Sequence, residues 1–367
     1  MAYTTVNKPR DYFNNMMYNG NNVNDNQIDG VGFKPATLWI KDMDRGSNHV
    51  FTTTGIQPAI VETQGSGAQQ TGPLSSTNTL HSDGFTVTGN NNDTNYNTDR
   101  FMSFSWRGAG SASANNDGTI TSNVDVNTTS KCSTIQWTGS GANGTIGHGL
   151  GVTPSFAILK CASNSSRDWV VYHAHLGAEK GFRLNLDSGE NTAGTYFNDT
   201  SPNSSVFYLG SNANTNSGSM IMLCQADVPG YFRAGKYEGT GSNNGMFVYT
   251  GFKPAFIIAK MNSTGGWFMW SQDPSNADSP DGVASGGYDD SSTVDQQNYA
   301  NVIKNRLLAN TQAGTDNSND NRIDFLSNGF KIRDNSSSYN QGNVPTMWAA
   351  WAQFPLVGTN NVISTAR

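Results

Sequence analysis

The feature that most restricts this chain is a segment written three times. Tyr237 to Lys260 reads YEGTGSNNGMFVYTGFKPAFIIAK, Trp137 to Lys160 reads WTGSGANGTIGHGLGVTPSFAILK, and Tyr18 to Lys41 reads YNGNNVNDNQIDGVGFKPATLWIK. In each, an aromatic residue (Tyr18, Trp137, Tyr237) stands two positions before a glycine. A proline (Pro35, Pro154, Pro254) and a lysine (Lys41, Lys160, Lys260) follow at fixed offsets, with no insertion. Self-similarity of this kind decides what counts as a domain before any element is assigned.

Each copy has a mechanical reading. The aromatic–x–Gly end suits a strand running into a turn, and the proline suits a strand entrance, where a missing N–H is tolerated. The apolar runs Thr37 to Ile40, Phe156 to Leu159 and Phe256 to Ala259 are short, aromatic or β-branched and bounded by turn residues. They predict buried strands. The closing lysine is expected where the strand emerges into water.

Composition supports an all-β chain. Gly is 40 of 367 residues and only 14% are charged, while 11% are aromatic, enough to fill a core. A net charge of -6 argues against a phosphate backbone, so no nucleic-acid partner is expected. No apolar run approaches the roughly 18 residues of a membrane span, and no secretory signal is visible at the N-terminus. Cys132, Cys161 and Cys224, an odd number lying far apart, read as buried thiols of a protein made in a reducing cytoplasm.

Taken in order, residues 1–106 read as a divergent first β repeat with an N-terminal arm. Residues 107–130 follow as a linker, 131–230 as a second repeat and 231–367 as a third. Gly84-Phe85 precedes Trp106 as Gly329-Phe330 precedes Trp351, and Phe207 and Cys224 take those roles in copy two. Repeats of about 90 to 115 residues with several short strands predict tandem β-sandwich or jelly-roll-like units. Tyr299, Ile303 and Leu307 recur at helical spacing within 297–310, which predicts one short helix inserted in the third copy.

The segments HGLGVTPSFAILK, WVVYHAHLG, FRLNLD, YFNDTSPNSSVFYLG, GKYEGTGSNNGMFVYTGFKPAFIIAK, IDFLSNGFKIRD and WAAWAQFPL resemble a tandem repeat domain of tail-fibre and related virion structural proteins of tailed, mostly marine, bacteriophages. The resemblance covers residues 131–367; residues 18–106 join it only through the internal repeat. It implies a virion protein with other virion proteins as partners, homo-oligomeric and trimeric if it forms a fibre. It brings no catalytic residues.

Chemical constellations are sparse. GSGANG (Gly139 to Gly144) satisfies the dinucleotide pattern but is followed by TIGHGLG, which cannot start a helix, so it reads as a turn and no cofactor is expected. His148, His173 and His175 form a histidine group that reads as a strand end rather than a metal site. Asp316, Ser318 and Asp320 alternate as in calcium loops, without the glycine and glutamate that complete one. No GxSxG is present, and Asp168, Asp187, Glu190, Asp289, Asp290 and Asp324 define no particular carboxylate pair, so no catalysis is expected.

Aromatic side chains are the remaining candidates, since their faces stack on sugars. Trp169, Tyr172 and His173 in copy two, with Trp267 and Trp270 in copy three, are the candidate glycan-binding surface. The tryptophans otherwise read as core, and loops 63–79, 187–204 and 274–295 are better candidates for holding a glycan than any single ring. The expectation is a tail-fibre or tip component adhering to a host-surface glycan. The alternative is a capsid decoration, fibre protein or assembly adaptor that meets no receptor.

Overall fold

In a computed structural model, residues 4–192, 194–272, 302–303, 305–316 and 322–357 are described. Among them the chain is all β, with a single 3-10 turn at Pro9–Asp11 and no α-helix. Each copy builds a large antiparallel sheet in one strand order, named here by role. The opening strands are Phe13–Asn19, Cys132–Ser140 and Phe232–Glu238. Each pairs with a closing strand, Arg100–Arg107, Ser217–Gln225 or Pro345–Pro355. The closing strand pairs in turn with a lysine strand, Pro35–Asp42, Phe156–Cys161 or Phe252–Met261. Last comes an outer strand, Val50–Thr53, Val170–His173 or Trp267–Ser271. The ladder shifts register at Pro35 and at Pro254, as a residue without an N–H would impose.

A smaller sheet faces each large one. Its first strand is Asn26–Ile28, Gly144–Gly147 or Phe247–Tyr249, and in each case an aliphatic residue is paired with a phenylalanine: Ile28 with Phe85, Ile146 with Phe207, Val248 with Phe330. These pairs anchor a separate apolar core inside each copy. The repeat is ungapped in sequence, but these aliphatic residues do not stand at one common distance from the proline. The turns on either side absorb one-residue differences.

The opposite face of every large sheet is also buried. A fourth core collects Phe13, Phe51, Phe104 and Trp106 from copy one, Phe156, Trp169 and Phe182 from copy two, and Phe232, Phe256, Trp267 and Trp351 from copy three. Rings meet across the copies: Phe51 with Trp169 at 5.1 Å, Phe182 with Trp267 at 5.6 Å, Phe104 with Phe256 at 4.4 Å and Trp106 with Trp351 at 5.5 Å. The sheets are therefore central layers, and the lysine strands are buried along their whole length.

The lysines themselves overturn the expectation that they reach water. Lys41, Lys160 and Lys260 are each 0% exposed, and a buried ammonium must find acceptors. Lys260 Nζ donates to the carbonyls of Asp187, Ser263 and Gly265 at 3.2, 2.8 and 2.8 Å. Lys160 donates to those of Ser66 and Arg167 at 3.3 and 2.7 Å. Lys41 donates to those of Gln312, Ser47 and Arg45 at 3.1, 3.1 and 3.4 Å. The first acceptor in each set lies in a neighbouring copy and also accepts a backbone N–H, from Gly265, Arg167 or Ser47. Copy three thus leans on copy two, copy two on copy one, and copy one on copy three. The ring is closed. Burial pulls all three ammonium groups down to about 8, which leaves them protonated donors at neutral pH.

A second contact follows the same circuit. Trp267 Nε1 donates to the Arg183 carbonyl at 2.9 Å, Trp169 Nε1 to that of Glu62 at 2.8 Å, and His49 Nε2 meets that of Leu308 at 3.0 Å. Trp39 Nε1 donates to His49 Nδ1 at 2.9 Å, which leaves Nε2 as the protonated nitrogen. An amide steadies each outer strand at its start: Asn310, Asn185 and Gln64 accept the backbone N–H of Trp267, Trp169 and His49.

Three further expectations are corrected. Residues 107–130 are not a linker: Ser122–Asn127 pairs with the opening strand of copy two and Ser113–Asn115 with Ser122–Asn127, which brings that sheet to eight strands. The helix expected within 297–310 is absent from its described part, which forms the strands Val302–Ile303 and Leu307–Leu308. Leu307 enters the shared core and Leu308 packs against the core of copy three, the alternation of a strand between two apolar faces. Gln225, not Cys224, stands where Trp106 and Trp351 stand, opposite Phe156 as Trp351 is opposite Phe256. The cysteines are free and buried.

The Lys260→Met substitution removes the donor from three carbonyls and is expected to cost about 3 kcal/mol. Lys8→Met on the surface should cost less than about 0.5 kcal/mol. Urea unfolding of both variants checks this; an effect of Lys260→Met within the surface range would remove the clasp from the account of stability.

Candidate functional site

None of the aromatic residues singled out by pattern lies at the surface. Trp169 and Trp267 sit in the shared core at 0% and 3% exposure. Tyr172 and Trp270 turn to the cores of their own copies, against Phe197 and Phe207 and against Phe268 and Tyr339. Both faces of each sheet are covered, so residues that alternate along these strands enter one core or the other. His173 is buried and its Nε2 meets the Trp348 carbonyl at 3.0 Å, bridging copies two and three. As a glycan-binding surface, Trp169, Tyr172, His173, Trp267 and Trp270 are therefore excluded by burial.

The other candidates are likewise occupied by structure. His148 Nε2 meets the Asn203 carbonyl at 3.1 Å and its Nδ1 accepts the Leu150 N–H. Among the described residues no three His, Cys, Asp or Glu side chains gather as a metal requires. Asp316 is held by Arg306 and Arg322 at 2.7 and 3.2 Å, while 317–321 lie outside the described residues. Asp168 pairs with Arg183, Glu190 with Lys180 and Asp324 with Arg333; Asp289, Asp290 and the loop 274–295 lie outside the described residues. Gly141, at φ +72°, lies in the turn that carries the chain from Cys132–Ser140 in the large sheet to Gly144–Gly147 in the small one. Loop 63–79 is pinned by Thr63 Oγ1 on the Ala309 carbonyl, and loop 187–204 buries Tyr196 and Phe197.

A different site emerges where the two sheets of copy three end side by side. The opening strand Phe232–Glu238 is an edge of its large sheet and Phe247–Tyr249 an edge of its small one. Between them lies an open groove of about 260 Å³. Val248 points inward, so its neighbours point out: Phe247 is 43% and Tyr249 46% exposed, with Met246 beside them at 40%. The guanidinium of Arg233 lies 5.7 Å from the Tyr249 ring centroid and donates to the Tyr249 carbonyl at 3.2 Å. Lys236 and, from copy two, His175 complete the rim, and no Asp or Glu lines the groove.

Register shows why the groove belongs to copy three. The ladders place Gly235 where the other copies have Met16 and Ile135, and Trp348 where they have Ser103 and Met222. A Cβ on Gly235 would lie 2.4 Å from the Trp348 ring, so only glycine lets the indole lie across the strand as the groove floor. Arg233 and Lys236 replace Asn14 and Met17 in copy one, and Ser133 and Gln136 in copy two. Around Val248, Phe247 and Tyr249 replace Gln27 and Asp29, and Thr145 and Gly147. The sequence signal was the stretch RAGKYEG just upstream of the aligned repeat, against NNMMYNG and STIQWTG.

A family model described as Domain of unknown function (DUF7483) matches residues 8–355. The chain belongs to that family. The match begins before the first opening strand and ends at the last residue of the third closing strand, so the family unit is the whole ring and not one repeat. Neither a curated protein nor a solved structure matches the chain.

Burial lowers His173 to about 4, against about 6.5 in an unfolded chain. Between those values the unfolded state binds a proton that the folded state does not, so this contribution to stability is present above pH 6.5 and is lost toward pH 4. His173→Gln can keep a donor to the Trp348 carbonyl without titrating. The stability difference between wild type and His173→Gln is expected to be greatest near pH 7 and to shrink toward pH 4; a pH-independent gap in urea unfolding contradicts the assignment.

Proposed function

We propose that this protein is a structural component of a tailed-bacteriophage virion, a tail-fibre or tip element that adheres to a host-surface glycan through the groove of copy three. The observation that carries the adhesive part is the outward pair Phe247 and Tyr249 beside Arg233, present in one copy of three. Aromatic faces set around a polar rim suit a sugar ring, whose own faces are apolar and whose edge is hydroxylated. The virion part rests on the resemblance of residues 131–367 to phage tail-fibre repeats. Weak contacts of this size become effective adhesion when many copies on one particle face one surface.

The same patch, with its apolar Met246 and Phe247 at a strand edge, favours one other reading: a docking face for another virion protein, as in a capsid decoration or assembly adaptor. Immunogold labelling of copy three on intact particles separates the two, with label at the tail tip expected and label over the capsid contradicting the tail-fibre assignment. On a panel of bacterial surface polysaccharides, Phe247→Ala combined with Tyr249→Ala is expected to abolish binding. Its melting temperature should stay within a few degrees of wild type, because both side chains are half-exposed. Trp169→Ala and Trp267→Ala should instead lower the melting temperature sharply, at a cost of about 3–5 kcal/mol. Undiminished polysaccharide binding by the Phe247/Tyr249 variant excludes the groove.

A further inference from the structure

We infer that the ligand of the copy-three groove is an anionic saccharide, one whose carboxylate or sulfate pairs with Arg233 while its ring lies on Phe247 and Tyr249, with Lys236 adding positive charge at the rim from the other face of the same strand. This rests on the adhesion reading and specifies its ligand. The chain carries net charge -6 and acids outnumber bases, 28 to 22. The groove inverts that balance: it is lined by Arg233, Lys236 and His175 and by no carboxylate. Among the described residues neither Arg233 nor Lys236 forms an ion pair, whereas most other arginines of the chain are matched to aspartates. Two cations kept without counter-charges, in an acidic protein and beside exposed aromatics, are the complement of a negative group carried on an apolar-faced ring.

Geometry adds to the charge. Arg233 is not a free arm: its bond to the Tyr249 carbonyl and its place near the Tyr249 ring fix the guanidinium beside the stacking surface, so little side-chain entropy is lost on pairing. The floor is the Trp348 indole, an apolar surface beside the exposed rings. The groove's 260 Å³ is below the roughly 300–1,000 Å³ of enclosed ligand pockets. It therefore grips a short stretch of a longer polymer, whose remainder runs over the surface.

Affinity electrophoresis of the full chain through gels containing polygalacturonate, dextran sulfate or neutral dextran tests this. Wild type is expected to be retarded by at least one of the two polyanions, with an apparent Kd at least tenfold below that for dextran. Arg233→Gln with Lys236→Gln should erase that preference, and Lys8→Gln should leave it intact. Retardation by polygalacturonate alone assigns a carboxylate, by dextran sulfate alone a sulfate; either supports the inference. Circular dichroism melts of the variants establish that the fold is kept. Equal binding to dextran, lost in the Phe247/Tyr249 variant but retained in the Arg233/Lys236 variant, overturns the anionic assignment and leaves sugar adhesion standing. If wild type binds neither these polymers nor the surface-polysaccharide panel, adhesion falls as well. Surface binding that survives periodate but not protease would identify a protein as the occupant, against both.

Discussion

A lysine ammonium drawn out of water needs acceptors on several sides, and in this chain those acceptors come from two copies at once. That requirement links the architecture together. Each lysine strand can be buried on both faces only if its terminal charge is met, and the charge is met only when the neighbouring copy presents a backbone carbonyl, of Asp187, Ser66 or Gln312. The shared aromatic core supplies most of the apolar burial, but burial is non-directional. The carbonyl clasp, with the Trp267, Trp169 and His49 contacts beside it, fixes which copy sits against which. A threefold pattern is here closed within one chain.

That closure explains both what the sequence made legible and what it did not. The proline-to-lysine frame located all three lysine strands, since a period of aromatic and β-branched residues between turns depends only on the residues themselves. What lies beyond a strand end does not. An isolated repeat would leave Lys41, Lys160 and Lys260 in water, and nothing local to them announces the partner copy. The same limit misplaced the aromatic site. Alternation along WVVYH and WFMWS does not say whether the second face is wet, and here both faces are dry. The helix expected near Leu307 failed for a related reason, because the adjacent Leu307 and Leu308 serve two different cores. The amides Gln64, Asn185 and Asn310 that steady the same strand in the three copies stand 15, 16 and 43 residues from it, so no spacing announces them.

Copy three departs from the shared framework at one edge. Copies one and two keep Met16 and Ile135 opposite Ser103 and Met222. Copy three exchanges that packing for Gly235 under Trp348, and the exchange opens an edge on which Arg233, Lys236, Phe247 and Tyr249 collect. The two walls of the groove are each tied by a full ladder to a neighbouring strand of copy three, Phe232–Glu238 to Pro345–Pro355 and Phe247–Tyr249 to Gly329–Ile332. Preorganisation of this kind lowers the entropic cost of gripping a flexible polymer.

If the copies are one cooperative body, no junction can open without the others. Native-state hydrogen exchange of the Ser47, Arg167 and Gly265 amides reports on this, because each amide donates across a different junction. The account predicts one common opening free energy for the three, equal to that of global unfolding. Exchange at one junction through a distinctly cheaper opening, with the other two still protected, would contradict it and return the chain to three tandem domains.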